Sequence, residues 1–118
     1  MKSKSGTTVT FFRRSDGCLT GFLAEGHADY GRYGSDIVCA AVSALTQATL
    51  GGLTDVVKVP VMYDVDETLG LLEARLTPEV TGEQLQQAQI LLKTLEGAIR
   101  QMERNYPRNV HISFEERR

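Results

Sequence analysis

Leu85, Ala88, Leu92, Leu95, Ile99 and Met102 recur at steps of three and four, which places them on one face of a long amphipathic helix. Thr81-Gly82-Glu83-Gln84 just before them fits a capping box, with Thr81 as cap and Gln84 reaching back. Asn105 and Pro107 end the helix. A single apolar stripe of this length needs a second layer to cover it. The remaining segments supply that layer as strands.

Thr7–Arg13 reads as a strand, Ser15-Asp16-Gly17 as the turn of a tight hairpin, and Cys18–Glu25 as the returning strand, which ends at Gly26-His27. Ala28–Gly34 is a loop by composition, with two glycines and two tyrosines. Ser35 then serves as N-cap of a helix that runs to about Leu50 and is closed by Gly51-Gly52. Val57, Val59, Val61, Tyr63 and Val65 alternate with Lys58, Pro60, Met62, Asp64 and Asp66, the period of a half-buried strand. Pro60 makes it an edge strand, or one that begins after Pro60. Leu69–Thr77 pairs with it across an acidic turn, and Val110, Ile112 and Phe114 mark a last strand. The order β-β-α-β-β-α-β gives an α+β layer fold, a mainly antiparallel sheet with two packed helices. Residues 1–6 are expected to be a flexible end and 7–118 a single domain.

The chain has 118 residues and a net charge of -2, enough length to bury a core without disulfides or metal. No excess of Lys and Arg is present to displace counterions from a phosphate backbone, so direct nucleic-acid binding is not expected. The longest apolar stretch, Ile37 to Leu45, is interrupted by Ser43 and falls short of the roughly 18 residues of a membrane span, and no signal segment is expected after Met1. Two cysteines, Cys18 and Cys39, suit a reduced, cytoplasmic protein better than a disulfide scaffold.

Chemistry concentrates between Gly26 and Leu45. At about 100° per residue, Val38, Ala41, Val42, Leu45 and Thr49 gather on one side of the first helix. Asp36, Cys39, Ala40, Ser43 and Gln47 gather on the other, which sets Cys39 in the first helical turn. The positive end of a helix stabilises negative charge there, and a thiolate is the reactive form of cysteine. His27, twelve residues upstream, ends a strand beside this helix, within reach of a thiol proton. Asp36 either caps backbone N–H groups or orients the imidazole. Ser43, one turn beyond Cys39, either lines a pocket or bonds a carbonyl of its own helix. Spacing alone favours a packed, inert cysteine and a solvated histidine, and leaves a Cys/His enzyme as the minority reading. Cys18 beside the hairpin turn is read as incidental, and Asp64, Asp66 and Glu67 as an acidic turn rather than a metal site.

Gly26-His27-Ala28, followed by Gly34-Ser35-Asp36-Ile37-Val38-Cys39-Ala40-Ala41-Val42-Ser43, closely resembles the signature of the ribosomal-processing cysteine protease family, Prp. The resemblance extends over nearly the whole chain. It implies a cytosolic bacterial endopeptidase that removes a short N-terminal extension from ribosomal large-subunit protein 27, cutting after an aromatic pair. By position, Cys39 resembles the nucleophile and His27 its general base, with Asp36 and Ser43 supporting. Gly26, Tyr30, Tyr33 and Gly34 fall in or beside the segment that resembles a substrate-covering loop. A homodimer is implied; a metal, an organic cofactor, a membrane or a nucleic-acid partner is not.

Two other readings make separate demands on the fold. A non-catalytic ribosome-associated assembly factor would bind the same protein tail and leave it intact. A redox sensor would need Cys18 and Cys39 with Cα atoms within about 7 Å.

Overall fold

The computed structural model describes residues 6–26, 35–68 and 70–117. Strands β1 (Thr7–Arg13) and β2 (Leu19–Glu25) are followed by helix α1 (Ser35–Gly51), whose last residues pass directly into a π-helical turn, Gly52–Val56. Strands β3 (Val61–Asp66) and β4 (Leu71–Leu76), helix α2 (Gly82–Asn105) and strand β5 (Val110–Glu116) complete the order. The five strands form one sheet in the order β3-β4-β2-β1-β5. All pairings are antiparallel except β1 with β5. The α+β layer fold expected from the sequence is the one observed.

Local chemistry accounts for the element ends. In the β1–β2 turn Gly17 takes φ 91°, and the Cys18 N–H donates to the Asp16 carboxylate at 3.0 Å. The capping box at α2 is complete: Gln84 N–H donates to Thr81 Oγ1 at 3.1 Å, and Thr81 N–H to Gln84 Oε1 at 2.9 Å. Ala88, Leu92, Leu95 and Ile99 of α2 are buried, with Met102 packed against them. They meet Val9, Phe11, Phe22, Ala24 and Ala74 on one face of the sheet. Gln89 ties the layers together, donating from Nε2 to the Leu19 carbonyl and accepting the Leu19 N–H at Oε1, both at 2.7 Å.

Three expectations need correction. Gly51-Gly52 does not close α1, because Gly51 is right-handed helical at φ -60°. A Cβ on Gly52 would lie 3.0 Å from Leu91 Cδ1, so this glycine serves the approach of α2. The left-handed residue that ends the turn is Lys58 at φ 55°, with Val59 N–H bonded to the Leu53 carbonyl. Second, with α1 continuing, Ile37–Val56 becomes long and apolar enough to cross a membrane by length and composition. Here Val38, Val42 and Leu53 are part of the sheet-facing core. Third, β3 is an edge strand beginning after Pro60, but it is not half-buried. Met62, Tyr63 and Val65 are 59%, 61% and 50% exposed, because the helix layer does not extend over the edge.

Candidate functional site

α1 carries its buried residues in a row, Val38, Val42 and Thr46. At about 100° per residue, that row is turned roughly 40° from the stripe expected around Val38 and Val42. Thr46 tolerates burial because its hydroxyl donates to the Val42 carbonyl at 3.0 Å. The rotation brings Cys39 and Ser43 from the outer side to the margin of the core, where both are half-buried. Cys39 is the fifth residue of α1, one turn inside the helix rather than in its first turn. Side chains on a helix lean toward its N-terminus, so the thiol is directed at the turn where N–H groups lack helical partners.

The sulfur faces a cavity of about 330 Å³. Cys39, Val42, Ser43, Thr46 and Gln47 of α1 form one wall, and Thr7, Ala24 and Leu72 the floor. Val65, Asp66, Glu67, Gly70 and Leu71 of the β3–β4 hairpin stand opposite, with Gly26 at the end of β2. Thr7 is 5% exposed, and its hydroxyl donates to Cys39 Sγ across 3.9 Å. Its backbone N–H donates to the Asn109 carbonyl at 2.8 Å, which fixes the start of β1. Ser43 Oγ accepts from Gln47 Nε2 at 2.7 Å. The Ser43 hydroxyl proton therefore remains available as a donor.

Glycine at position 26 is dictated by backbone geometry. Its φ is 108°, and a Cβ would lie 2.5 Å from the Gly6 carbonyl oxygen. The chain can turn off β2 against β1 only where no side chain intervenes.

Of the residues singled out from the sequence, the structure brings Gly26, Cys39 and Ser43 into one cavity. Asp36 is the second residue of α1. His27, Tyr30, Tyr33 and Gly34 lie outside the described residues. Thr7, Gln47 and the pair Asp66-Glu67 also line the cavity and were not anticipated there. The acidic turn was visible in the sequence, but its position opposite Cys39 depends on sheet order. Among the described residues, no three His, Cys, Asp or Glu side chains come together as metal ligands.

Both cysteines are free, and they stand at opposite ends of β1. Cys39 touches Thr7, whereas the Cys18 carbonyl accepts from Arg14 N–H. Seven residues of strand separate those anchors, about 23 Å at 3.3 Å per residue. A disulfide between them within one chain is excluded.

A family model described as cysteine protease Prp matches residues 7–111. The ribosomal processing cysteine protease Prp of Staphylococcus aureus is 27% identical over 107 residues, covering 91% of this chain and 97% of that protein. The crystal structure of SMU.848 from Streptococcus mutans superposes with a TM-score of 0.81 at 30% identity, covering 96% of this chain and 97% of that one. S. aureus Prp with a covalently linked product peptide gives 0.78 at 26% identity, covering 92% and 99%.

Proposed function

The chain belongs to the cysteine protease Prp family, and from that membership we propose that it is a cytoplasmic endopeptidase acting on ribosomal large-subunit protein 27. It removes the N-terminal extension by cutting after an aromatic pair. The observation that carries this reading is the Cys39 sulfur, aimed into a peptide-sized cavity and hydrogen-bonded by the buried Thr7 hydroxyl. The S. aureus relative, captured with a covalently linked product peptide, supports a covalent route.

In this mechanism the Cys39 thiolate attacks the scissile carbonyl carbon and forms a C–S bond. N–H groups in the first turn of α1 donate to the oxyanion. His27 delivers a proton to the leaving amine as the C–N bond breaks, then takes one from the water that hydrolyses the thioester. Gly26 lines the same cavity as Cys39, and His27 follows it by one peptide unit, about 3.8 Å of chain, which supports the dyad. The apolar surfaces of Val42, Val65, Leu71 and Leu72 suit aromatic side chains next to the cut, with Tyr30 or Tyr33 as roof. Asp36 orients His27, Ser43 donates to the substrate backbone, and the working form is a homodimer.

The test is mass spectrometry of a peptide spanning the extension, incubated with wild-type protein, Cys39→Ala and His27→Ala. Cleavage at one bond by wild type alone supports the reading. A peptide that binds wild type and stays intact replaces it with the non-catalytic assembly factor.

A further inference from the structure

From the edge of the sheet beside the Cys39 cavity, we infer that β3 is a docking strand for an extended peptide with basic residues. The peptide adds to the sheet as a sixth strand. The inference deepens the protease reading, on which it rests for the identity of the peptide as substrate.

Among the described residues β3 has one neighbour, β4, so its outer row of N–H and C=O groups faces away from the sheet. Native edge strands are usually short, bulged or covered, because a bare edge recruits another strand. This one instead carries three large apolar residues, Met62, Tyr63 and Val65, each at least half exposed. The register Tyr63↔Ala74 and Val65↔Leu72 puts Tyr63 and Val65 on the face that carries the helices. Val65 also lines the Cys39 cavity, so the apolar shelf and the cavity are continuous. A strand laid along β3 would put alternate side chains on that shelf.

The intervening side chains would meet the opposite face, where Asp64 stands directly across from Glu73. Like charges in that position cost the sheet stability, and Arg75, 3.3 Å from Glu73, supplies one positive charge for two carboxylates. Met62, Tyr63, Asp64, Glu73 and Arg75 outline a second hollow of about 240 Å³. Three residues of strand separate Tyr63 from Asp66 at the cavity, about 10 Å, a span that one extended peptide covers. Charge also selects the occupant. A second copy of β3 would bring a further carboxylate to Asp64, whereas a lysine or arginine side chain complements it.

The experiment measures fluorescence anisotropy of labelled ten-residue peptides, each with an aromatic pair, on Cys39→Ala protein, so that binding is read without cleavage. One peptide carries lysines at alternate positions, a second glutamates there, and two more carry N-methyl groups on alternate backbone amides in either phase. The lysine peptide is expected to bind more tightly than the glutamate peptide. Adding Asp64→Lys should weaken the lysine peptide about two- to fivefold, the scale of one exposed ion pair, and tighten the glutamate peptide. N-methylation in one phase should abolish most binding and in the other should not, since only one set of amides faces β3. Equal binding of both charge types, no binding, or equal effects of the two methylation phases overturns the inference. So does a dimer that Tyr63→Lys converts to monomer in light scattering, which would give the edge to a second copy. A failure in these arms leaves the cleavage assay with wild-type protein unaffected, so the two readings fail separately.

Discussion

Gly26→Ala tests whether the approach of two backbones beside Cys39 is as tight as the structure places it. Gly26 and Gly17 both have positive φ, 108° and 91°. An L side chain at either position incurs backbone strain of about 1–3 kcal/mol. Both substitutions also remove the same freedom from the unfolded chain, worth about 0.4–1 kcal/mol. What differs is space. A Cβ at position 17 meets nothing within 4 Å, whereas at position 26 it lies 2.5 Å from the Gly6 carbonyl oxygen. That oxygen is backbone and cannot turn aside, so β1 must shift, at an overpacking cost of about 1–3 kcal/mol.

Gly26→Ala should therefore be less stable than Gly17→Ala by about 1–3 kcal/mol, since the terms common to both cancel. Urea unfolding followed by circular dichroism reads this as a lower midpoint at unchanged slope. Each kcal/mol corresponds to about 4 °C in Tm for a domain of this size. The shift also carries Thr7, next to Gly6, away from Cys39. Peptide cleavage by the folded fraction of Gly26→Ala should fall, while that of Gly17→Ala should stay at the wild-type level. Equal destabilisation of the two variants would refute the close approach.

Thr7→Val removes the donor to Cys39 Sγ while keeping the side-chain shape. At 3.9 Å the bond is long, so a loss of about 1 kcal/mol predicts roughly a fivefold lower kcat with KM unchanged, restored in part by Thr7→Ser. Gln89→Leu leaves the N–H and C=O of the buried Leu19 without the partners they have at 2.7 Å, costing about 2–6 kcal/mol at about 1–3 kcal/mol for each group. Hydrogen exchange at the Leu19 amide should accelerate beyond that of its β2 neighbours. The Cys18 N–H, followed by the Arg14 guanidinium, holds the Asp16 carboxyl below its ordinary value. A carboxyl lowered on folding adds stability above its unfolded pKa, about 3.9, and loses it as pH falls through the lower folded one. Asp16→Asn should therefore flatten the acid end of a stability–pH curve and leave its slope above pH 5 unchanged.

The elements legible in the sequence are those whose cause is local. The capping box at Thr81 and Gln84 needs four consecutive residues, and the α2 stripe needs only the helical period, so both appear as expected. The β1–β2 hairpin follows from Asp16-Gly17 in the same way. Gly51-Gly52 misleads because its purpose is tertiary: Leu91, some forty residues away, occupies the space where a side chain at 52 would go. The alternation in Val57–Val65 is real, but alternation specifies two faces and not that anything covers either. Half of the cavity is illegible for a related reason. Thr7 and the β3–β4 hairpin reach Cys39 through sheet order, which no short-range pattern in this chain encodes.

That dependence on sheet order gives the site a long mechanical lever. Thr7 is held by the Asn109 carbonyl, and Asn109 belongs to the turn between α2 and β5, where its own N–H donates to the Tyr106 carbonyl at 2.9 Å. Gly6 packs against the same residue so closely that a Cβ there would lie 2.2 Å from the Asn109 oxygen. The position of the hydroxyl on Cys39 is thus fixed by where α2 stops, and α2 stops at a turn containing Pro107. Loosening that turn frees the start of β1 and also the buried Val110, whose N–H donates to the Tyr106 carbonyl at 3.0 Å. A lesion at the C-terminal end of α2 is then a lesion of the cysteine site, transmitted through two backbone hydrogen bonds, although no residue of that turn lines the cavity.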